Sequence, residues 1–133
     1  MNRSRLSSNE LNQALMQFTG TEHWYRHPIN KRVIYTDGAK FFAENAGMSG
    51  GYWFIDKVAI EICPLLSDKK QFFATLTLQV DPDEHSALIQ VGDGNGDTLA
   101  TFEICYTDVQ PGEWRFYLQD DIEHWVLLLP SEY

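Results

Sequence analysis

The chain has 133 residues, the size of one typical domain, and its 44% hydrophobic and 14% aromatic residues exclude a disordered chain. No stretch reaches the length of about 18 apolar residues that a membrane-spanning helix needs. The net charge of −9 is unevenly distributed: residues 1–66 sum to +1 and residues 67–133 sum to −10. Because an acidic surface repels phosphates, direct binding of nucleic acid is disfavoured and a basic protein partner is favoured.

We expect a single α+β domain over residues 1–133, with residues 1–6 flexible. The first ten residues contain no apolar core of a signal peptide, which predicts a cytoplasmic location. Cys63 and Cys105 each lie in an apolar run and lack Cys-x-x-Cys spacing. This usage is typical of free thiols and favours neither a disulfide nor a zinc site.

The first half of the chain predicts three helices. The first begins at a capping box formed by Ser7 and Glu10 and ends near Gly20. Residues 21–32 show no clear period, which predicts a connector that contains at most one irregular strand. Residues 33–35 form a short β-favouring run. Thr36-Asp37 supplies the N-cap of the second helix. The third covers residues 52–63 and is expected to end near Pro64.

From residue 72 onwards the apolar period changes to two, which is typical of half-buried strands. Turn signals separate strand patterns at residues 72–80, 87–91, 100–106, 114–118 and 122–129, and the last is apolar enough to lie centrally in a sheet. We therefore expect an antiparallel meander of about five strands over residues 72–129, with about three N-terminal helices packed on one face. Its aromatic core is predicted to consist of Trp53, Phe72, Phe102 and Trp114.

Two patterns resemble metal sites but lack essential ligands. Asp93, Asn95 and Asp97 alternate as in a calcium loop, yet Thr98 and Ile104 occupy the positions of the required glycine and bidentate glutamate. The Asn-Gly and Asp-Gly steps there are explained by a hairpin turn. His23 and His27 are four residues apart, but no H-E-x-x-H arrangement is present and Pro28 ends any helix. The sequence predicts no metal site and no cofactor.

The tripeptide Tyr-Thr-Asp occurs twice, with its carboxylates at Asp37 and Asp108. Two such carboxylates brought together could perform acid–base chemistry, but Thr-Asp is also what helix starts and turns require. No nucleophile elbow, phosphate-binding loop or dinucleotide motif is present. An enzyme using Asp37 and Asp108, or a histidine in a cleft between helices and sheet, remains the alternative hypothesis.

Several short segments together resemble a family of small uncharacterised bacterial proteins. They are Tyr35-Thr36-Asp37-Gly38, Tyr52-Trp53 with Asp56, Asp93-Gly94-Asn95, Tyr106-Thr107-Asp108 and the terminal Leu-Leu-Pro-Ser-Glu-Tyr of residues 128–133. The resemblance spans roughly residues 19–133. It implies a context of plasmids, phages and other mobile elements, whose small acidic proteins include anti-restriction and anti-CRISPR inhibitors, and it carries no catalytic residue.

The leading hypothesis is a non-enzymatic, acidic protein-binding module that engages a basic protein surface, such as the nucleic-acid-binding groove of a host complex. The other interpretation of the acidity is that these residues solvate the outer face of the sheet and only keep the protein soluble. The predicted partner-binding residues flank two turns: Asp81, Asp83, Glu84, Asp120, Asp121 and Glu123. The sequence predicts no membrane partner and leaves the oligomeric state open.

Overall fold

The structure is a computed structural model that describes residues 6–133. Its helices are α1 Ser8–Met16, α2 Asp37–Asn45, α3 Tyr52–Lys57 and α4 Cys63–Asp68, and a π-helical turn, Val58–Ile62, joins the last two. The strands are β1 Trp24–Arg26, β2 Val33–Thr36, β3 Phe73–Val80, β4 Ala87–Gly92, β5 Thr98–Ile104, β6 Gly112–Asp120 and β7 Trp125–Leu128. A 3₁₀ turn, Pro130–Glu132, follows the last strand.

Within residues 6–133, seven strands form one mixed sheet in the order β1-β2-β7-β6-β3-β4-β5. The expected α+β class is correct, but the five-stranded antiparallel meander is wrong. The strand β6 pairs with β3 and not with β5, so these strands do not follow one another in chain order. In addition, β1 and β2 extend the sheet, and β2 pairs with β7 in parallel. The apolar β7 needs a neighbour on each side, and its hairpin with β6 supplies only one. Since a long connection separates β2 from β7, no hairpin dictates their relative direction.

The starts of the first two helices are confirmed. The Ser7 hydroxyl accepts from the backbone N–H of Glu10 at 3.1 Å while the Glu10 carboxylate accepts from the Ser7 N–H at 2.9 Å, which is the capping box. Thr36 caps α2 through the N–H of Ala39. The expected flexibility of residues 1–6 falls outside the described residues except at Leu6, which packs against the core.

The helical segment that was predicted to end near Pro64 continues past it, since α3 runs through the π-helical turn into α4. The N–H of Cys63 donates to the carbonyl of Val58, five residues back, so the carbonyl of Ala59 would need the N–H of residue 64. Proline has no N–H. The Asn30 side chain donates to the Ala59 carbonyl instead, at 2.9 Å. The π turn and this external donor let the helix accommodate the proline.

The aromatic centre of the core joins helices to sheet. The Phe116 ring of β6 lies 5.0 Å from that of Phe42 in α2 and 4.7 Å from that of Phe54 in α3, centroid to centroid. All three side chains are buried. These contacts fix α2 and α3 against the middle of the sheet.

The predicted aromatic core is only partly correct. Trp114 is buried, and Trp53 and Phe102 are half-buried against the core. Phe72 is 66% exposed because it lies one residue before β3, outside the alternating pattern that buries Ala74 and its successors. The prediction for Phe72 is therefore wrong.

Candidate functional site

The two predicted acidic clusters lie at opposite ends of the sheet. Val80 pairs with Gly112, so the turn that follows β3 lies at the end where β6 begins. Phe73 pairs with Gln119, so the turn that follows β6 lies at the other end. At about 3.3 Å per residue, an eight-residue strand separates these ends by roughly 23 Å. We call them the Asp81 end and the Asp120 end; they are too far apart to form one contact patch.

At the Asp120 end the carboxylates are engaged within the protein. Asp120 accepts from the Arg32 guanidinium at 3.2 Å and from the backbone N–H of Ile122 at 2.8 Å. Arg32 also donates to the backbone carbonyls of Ile122 and Glu123. Asp121 accepts from the N–H of His124 at 2.6 Å. Only Glu123 of the three predicted residues has a carboxylate free of this turn network.

At the Asp81 end the negative charge is less compensated. Asp81 closes the turn by accepting from the N–H groups of Asp83 at 2.7 Å and Glu84 at 3.0 Å. The bond from the Glu84 N–H, followed by that from Asp83, lowers the pKa of Asp81 from its ordinary value. Within residues 6–133, no lysine or arginine forms an ion pair with Asp81, Asp83, Glu84 or Glu103. The turn therefore presents net negative charge to solvent.

A shallow groove of about 500 Å³ lies beside this turn, across β3, β4 and β5. Asp81 and Glu103 supply its carboxylates, and Leu88 and Ala87 supply apolar surface. The lining is completed by Gln79, Val80, Ser86, Ile104 and Cys105. The groove can therefore accommodate an aliphatic chain that ends in a positive charge, as in lysine or arginine.

The strand register places the groove's central residues in one row. Glu113 is opposite Gln79, Gln79 is opposite Leu88, and Leu88 is opposite Glu103. Neighbouring strands lie about 4.8 Å apart, so the half-buried Leu88 directly adjoins the exposed Glu103. Glu113 forms an exposed ion pair with Arg115 at 3.1 Å, which leaves the β5 side of the row the more acidic. Sequence reasoning missed Glu103, because only the register brings it to the Asp81 turn.

The two cysteines are expected to differ sharply in reactivity. Cys63 is buried, which raises the pKa of its thiol to about 12, whereas Cys105 lies exposed at the groove. Because the thiolate is the reactive species, a thiol-disulfide reagent should modify one cysteine rapidly at pH 8 in the native protein and both in denaturant. Mass spectrometry should locate the native modification at Cys105. Rapid native modification of Cys63 would contradict this burial.

The Asp37 carboxylate, at the start of α2, holds residues 22–25 against the helix. Its carboxylate accepts from the N–H of Glu22 at 3.0 Å, from the Tyr25 hydroxyl at 2.9 Å and from the N–H of His23 at 3.4 Å. The bond from the Glu22 N–H is the main cause of a lowered pKa for Asp37. These donors fasten residues 22–25 to the helix.

Asp108 has a similar role beyond the other end of α2. It accepts from the N–H groups of Met48 at 3.0 Å and Ser49 at 2.9 Å. The nine-residue α2 and one further turn therefore lie between the attachment points of Asp37 and Asp108. The structure does not bring the two carboxylates together, and both are engaged with local donors.

His27 is the histidine most changed by the structure. Its side chain is 1% exposed, which the spacing of His23 and His27 in the sequence does not indicate. Its Nδ1 accepts from the N–H groups of Ile29 at 3.1 Å and Asn30 at 3.0 Å, so Nε2 carries the proton and donates to Asp56 at 2.8 Å. Both ring nitrogens are thus occupied, which leaves no lone pair for a general base. With the Asn30–Ala59 bond, His27 fastens the 27–32 connector to the third helix.

Glu132, in the 3₁₀ turn after β7, is also hydrogen-bonded to the start of α2. Glu132 accepts from the Thr36 hydroxyl at 2.6 Å, from the Gly38 N–H at 3.1 Å and from the Leu129 N–H at 3.0 Å. A Cβ at Gly38 would lie 2.5 Å from the Leu129 side chain and 2.6 Å from the Glu132 carboxylate. The Tyr-Thr-Asp-Gly and Leu-Pro-Ser-Glu-Tyr segments therefore form one structural contact.

The remaining candidate features have structural explanations. Asp93 accepts from the N–H groups of Asn95 and Asp97 in the turn between β4 and β5, and the predicted hairpin turn is confirmed. Across residues 6–133, no group of three His, Cys, Asp or Glu side chains could hold a metal ion. Nor does this part of the chain include a helix long and apolar enough to cross a membrane.

Comparison with known proteins gives a family match that covers nearly the whole chain. The matching family model, described as a family of unknown function (DUF6876), covers residues 9–133. No curated protein and no solved structure matches the chain.

Proposed function

Because the chain belongs to DUF6876, a family of unknown function, we propose a role from its own geometry: an acidic module that binds a basic segment of a partner protein at the Asp81 end. The observation that carries this proposal is the groove lined by Asp81 and Glu103 beside the exposed carboxylates of Asp83 and Glu84. A shallow apolar surface next to unpaired carboxylates is complementary to lysine and arginine side chains.

The Asp120 end makes a weaker candidate. Arg32 neutralises Asp120, and the Asp121 carboxylate is occupied by the N–H of His124. Long-range attraction is screened over about 8 Å at physiological ionic strength, so this end contributes little to binding at the distant Asp81 end. We therefore assign the main contact to Asp81, Asp83, Glu84 and Glu103.

The partner class that we propose is a nucleic-acid-binding complex of the host, whose basic groove the Asp81 end would block. The negative charge of the Asp81 end supports this partner class, because its carboxylates would occupy the positions that nucleic-acid phosphates take in a basic groove. The resemblance to proteins of mobile elements favours an inhibitor of this kind, by analogy with anti-restriction and anti-CRISPR proteins. The enzymatic alternative has less support, since the carboxylates of Asp37 and Asp108 accept from backbone N–H groups and both ring nitrogens of His27 are hydrogen-bonded.

Charge reversal tests the proposal without disturbing the turn. Asp83 and Glu84 are exposed, and their carboxylates take no part in the turn's hydrogen bonds. The wild-type protein is first used to capture a binding protein from the basic fraction of host lysate that elutes from heparin. The Asp83→Lys/Glu84→Lys variant should not capture that protein. The association rate of that purified protein, measured by surface plasmon resonance, should fall about tenfold or more and decrease with salt.

A matched variant separates position from total charge. Asp97 and Glu123 are exposed at the Asp120 end, so Asp97→Lys/Glu123→Lys changes the net charge equally. This control should retain association within about twofold, because its changes lie beyond the screening distance. Equal losses in both variants, or no loss and no salt dependence in either, would reject the Asp81 end as a binding site.

A further inference from the structure

The groove opens onto a free edge of the sheet. Within residues 6–133, β5 is the last strand in the order, and β4 is its neighbour on one side only. It spans seven residues, Thr98–Ile104, has a register shift at Leu99 and is regular from Ala100 to Ile104, and it contains no lysine, arginine or proline. The opposite edge strand, β1, has only three residues. Short edges, lysines, prolines and bulges are the usual means of preventing strand addition, so the regular stretch Ala100–Ile104 of β5 is the part of the edge that remains able to accept a strand.

The side chains of β5 specify what such a strand would carry. Thr101 and Glu103 are exposed on one face of the sheet, whereas Phe102 and Ile104 are half-buried on the other face. A residue directly opposite Glu103 would lie about 5 Å from it, where a positive charge is favoured. Residues on either side of it would lie beside Phe102 and Ile104, where apolar side chains are favoured. The complementary pattern is thus apolar, basic, apolar.

We infer that β5 binds its partner by strand addition: an extended segment of alternating apolar and basic residues joins the sheet as an eighth strand. This inference rests on the proposed function and names the partner's conformation and pattern. Main-chain hydrogen bonds to the free edge supply affinity, while Glu103 and the nearby Asp81 select positive side chains. A second copy of the chain is disfavoured as occupant, because each carries a net charge of −9.

The experiment uses the full chain and three synthetic nine-residue peptides. The first alternates lysine and valine. The second is the same peptide with its main-chain amides methylated. The third has the same composition in separate blocks of lysine and valine. Methylation removes main-chain donors without changing charge. The alternating peptide should bind at least about tenfold more tightly than the methylated and block peptides. Amide hydrogen exchange should slow within residues 98–104 of the protein.

Protein variants locate the contact. Glu103→Lys should weaken binding of the alternating peptide about tenfold, and Glu123→Lys at the Asp120 end should leave it unchanged. Equal binding of all three peptides, sensitive to Asp83→Lys/Glu84→Lys, would overturn strand addition while leaving the proposed function intact. Protection at β1 instead of β5, or self-association of the chain through β5 in analytical ultracentrifugation, would also overturn it. No binding of any peptide would count against both proposals.

Discussion

Phe116→Ala is expected to lower the free energy of unfolding by about 3–5 kcal/mol, a large part of the roughly 5–15 kcal/mol that stabilises a domain. Phe116 is buried between Phe42 and Phe54, so its removal leaves a cavity that helices and sheet cannot both close. Urea denaturation followed by circular dichroism measures the change. Phe72→Ala is the matched control, because Phe72 is 66% exposed and should lose less than about 0.5 kcal/mol.

Comparable losses in these two variants would contradict the position of Phe116 at the centre of the core. If Phe116→Ala does not fold, Phe116→Leu takes its place in the experiment, because leucine keeps most of the buried apolar surface. This variant should fold and lose less than Phe116→Ala. If Phe116→Leu were as stable as the wild-type protein, the ring contacts would contribute nothing.

Gly47→Ala is expected to cost at least about 3 kcal/mol, since it combines backbone strain with a steric clash. Gly47 has a φ of +66°. An added Cβ would collide with the Asp108 carboxylate and lie 2.7 Å from the Asp108 carbonyl oxygen. Relief of this clash would require Asp108 to move, which breaks its bonds to the N–H groups of Met48 and Ser49.

Gly96→Ala isolates the contribution of backbone strain. Gly96 has a φ of +102°, and a Cβ there would have no heavy atom within 4 Å. It should therefore cost only the strain, about 1–2 kcal/mol. Denaturation of both variants under identical conditions gives the comparison. If Gly96→Ala proved as destabilising as Gly47→Ala, the contact between Asp108 and the 47–49 loop would not be the cause.

Local chemistry accounts for the parts of the fold that were predicted correctly. The capping box at Ser7, the N-cap at Thr36 and the hairpin turn around Asn95 each depend on residues only a few positions apart. The alternation that buries Leu76 and Leu78 likewise depends only on the two-residue period of a strand. Such features need no knowledge of distant parts of the chain.

Contacts between distant segments account for what was missed. The three-residue β1 and four-residue β2 have too few residues to show a period, and only β7 gives them a place in the sheet. His27 is buried because Asp56 and two backbone N–H groups satisfy its ring, which no pattern around residue 27 indicates. The third helix passes Pro64 because Asn30 satisfies a carbonyl that proline cannot.

The candidate site divides in the same way. The sequence by itself determined that the second half of the chain is acidic and that Asp81, Asp83 and Glu84 flank a turn, since charge and turn chemistry are properties of the residues themselves. Only the tertiary structure decided that Asp120 is neutralised by Arg32, that Glu103 joins the Asp81 end and that β5 is a free edge. These depend on strand order and register, which arise when segments far apart in the chain bury their apolar faces together.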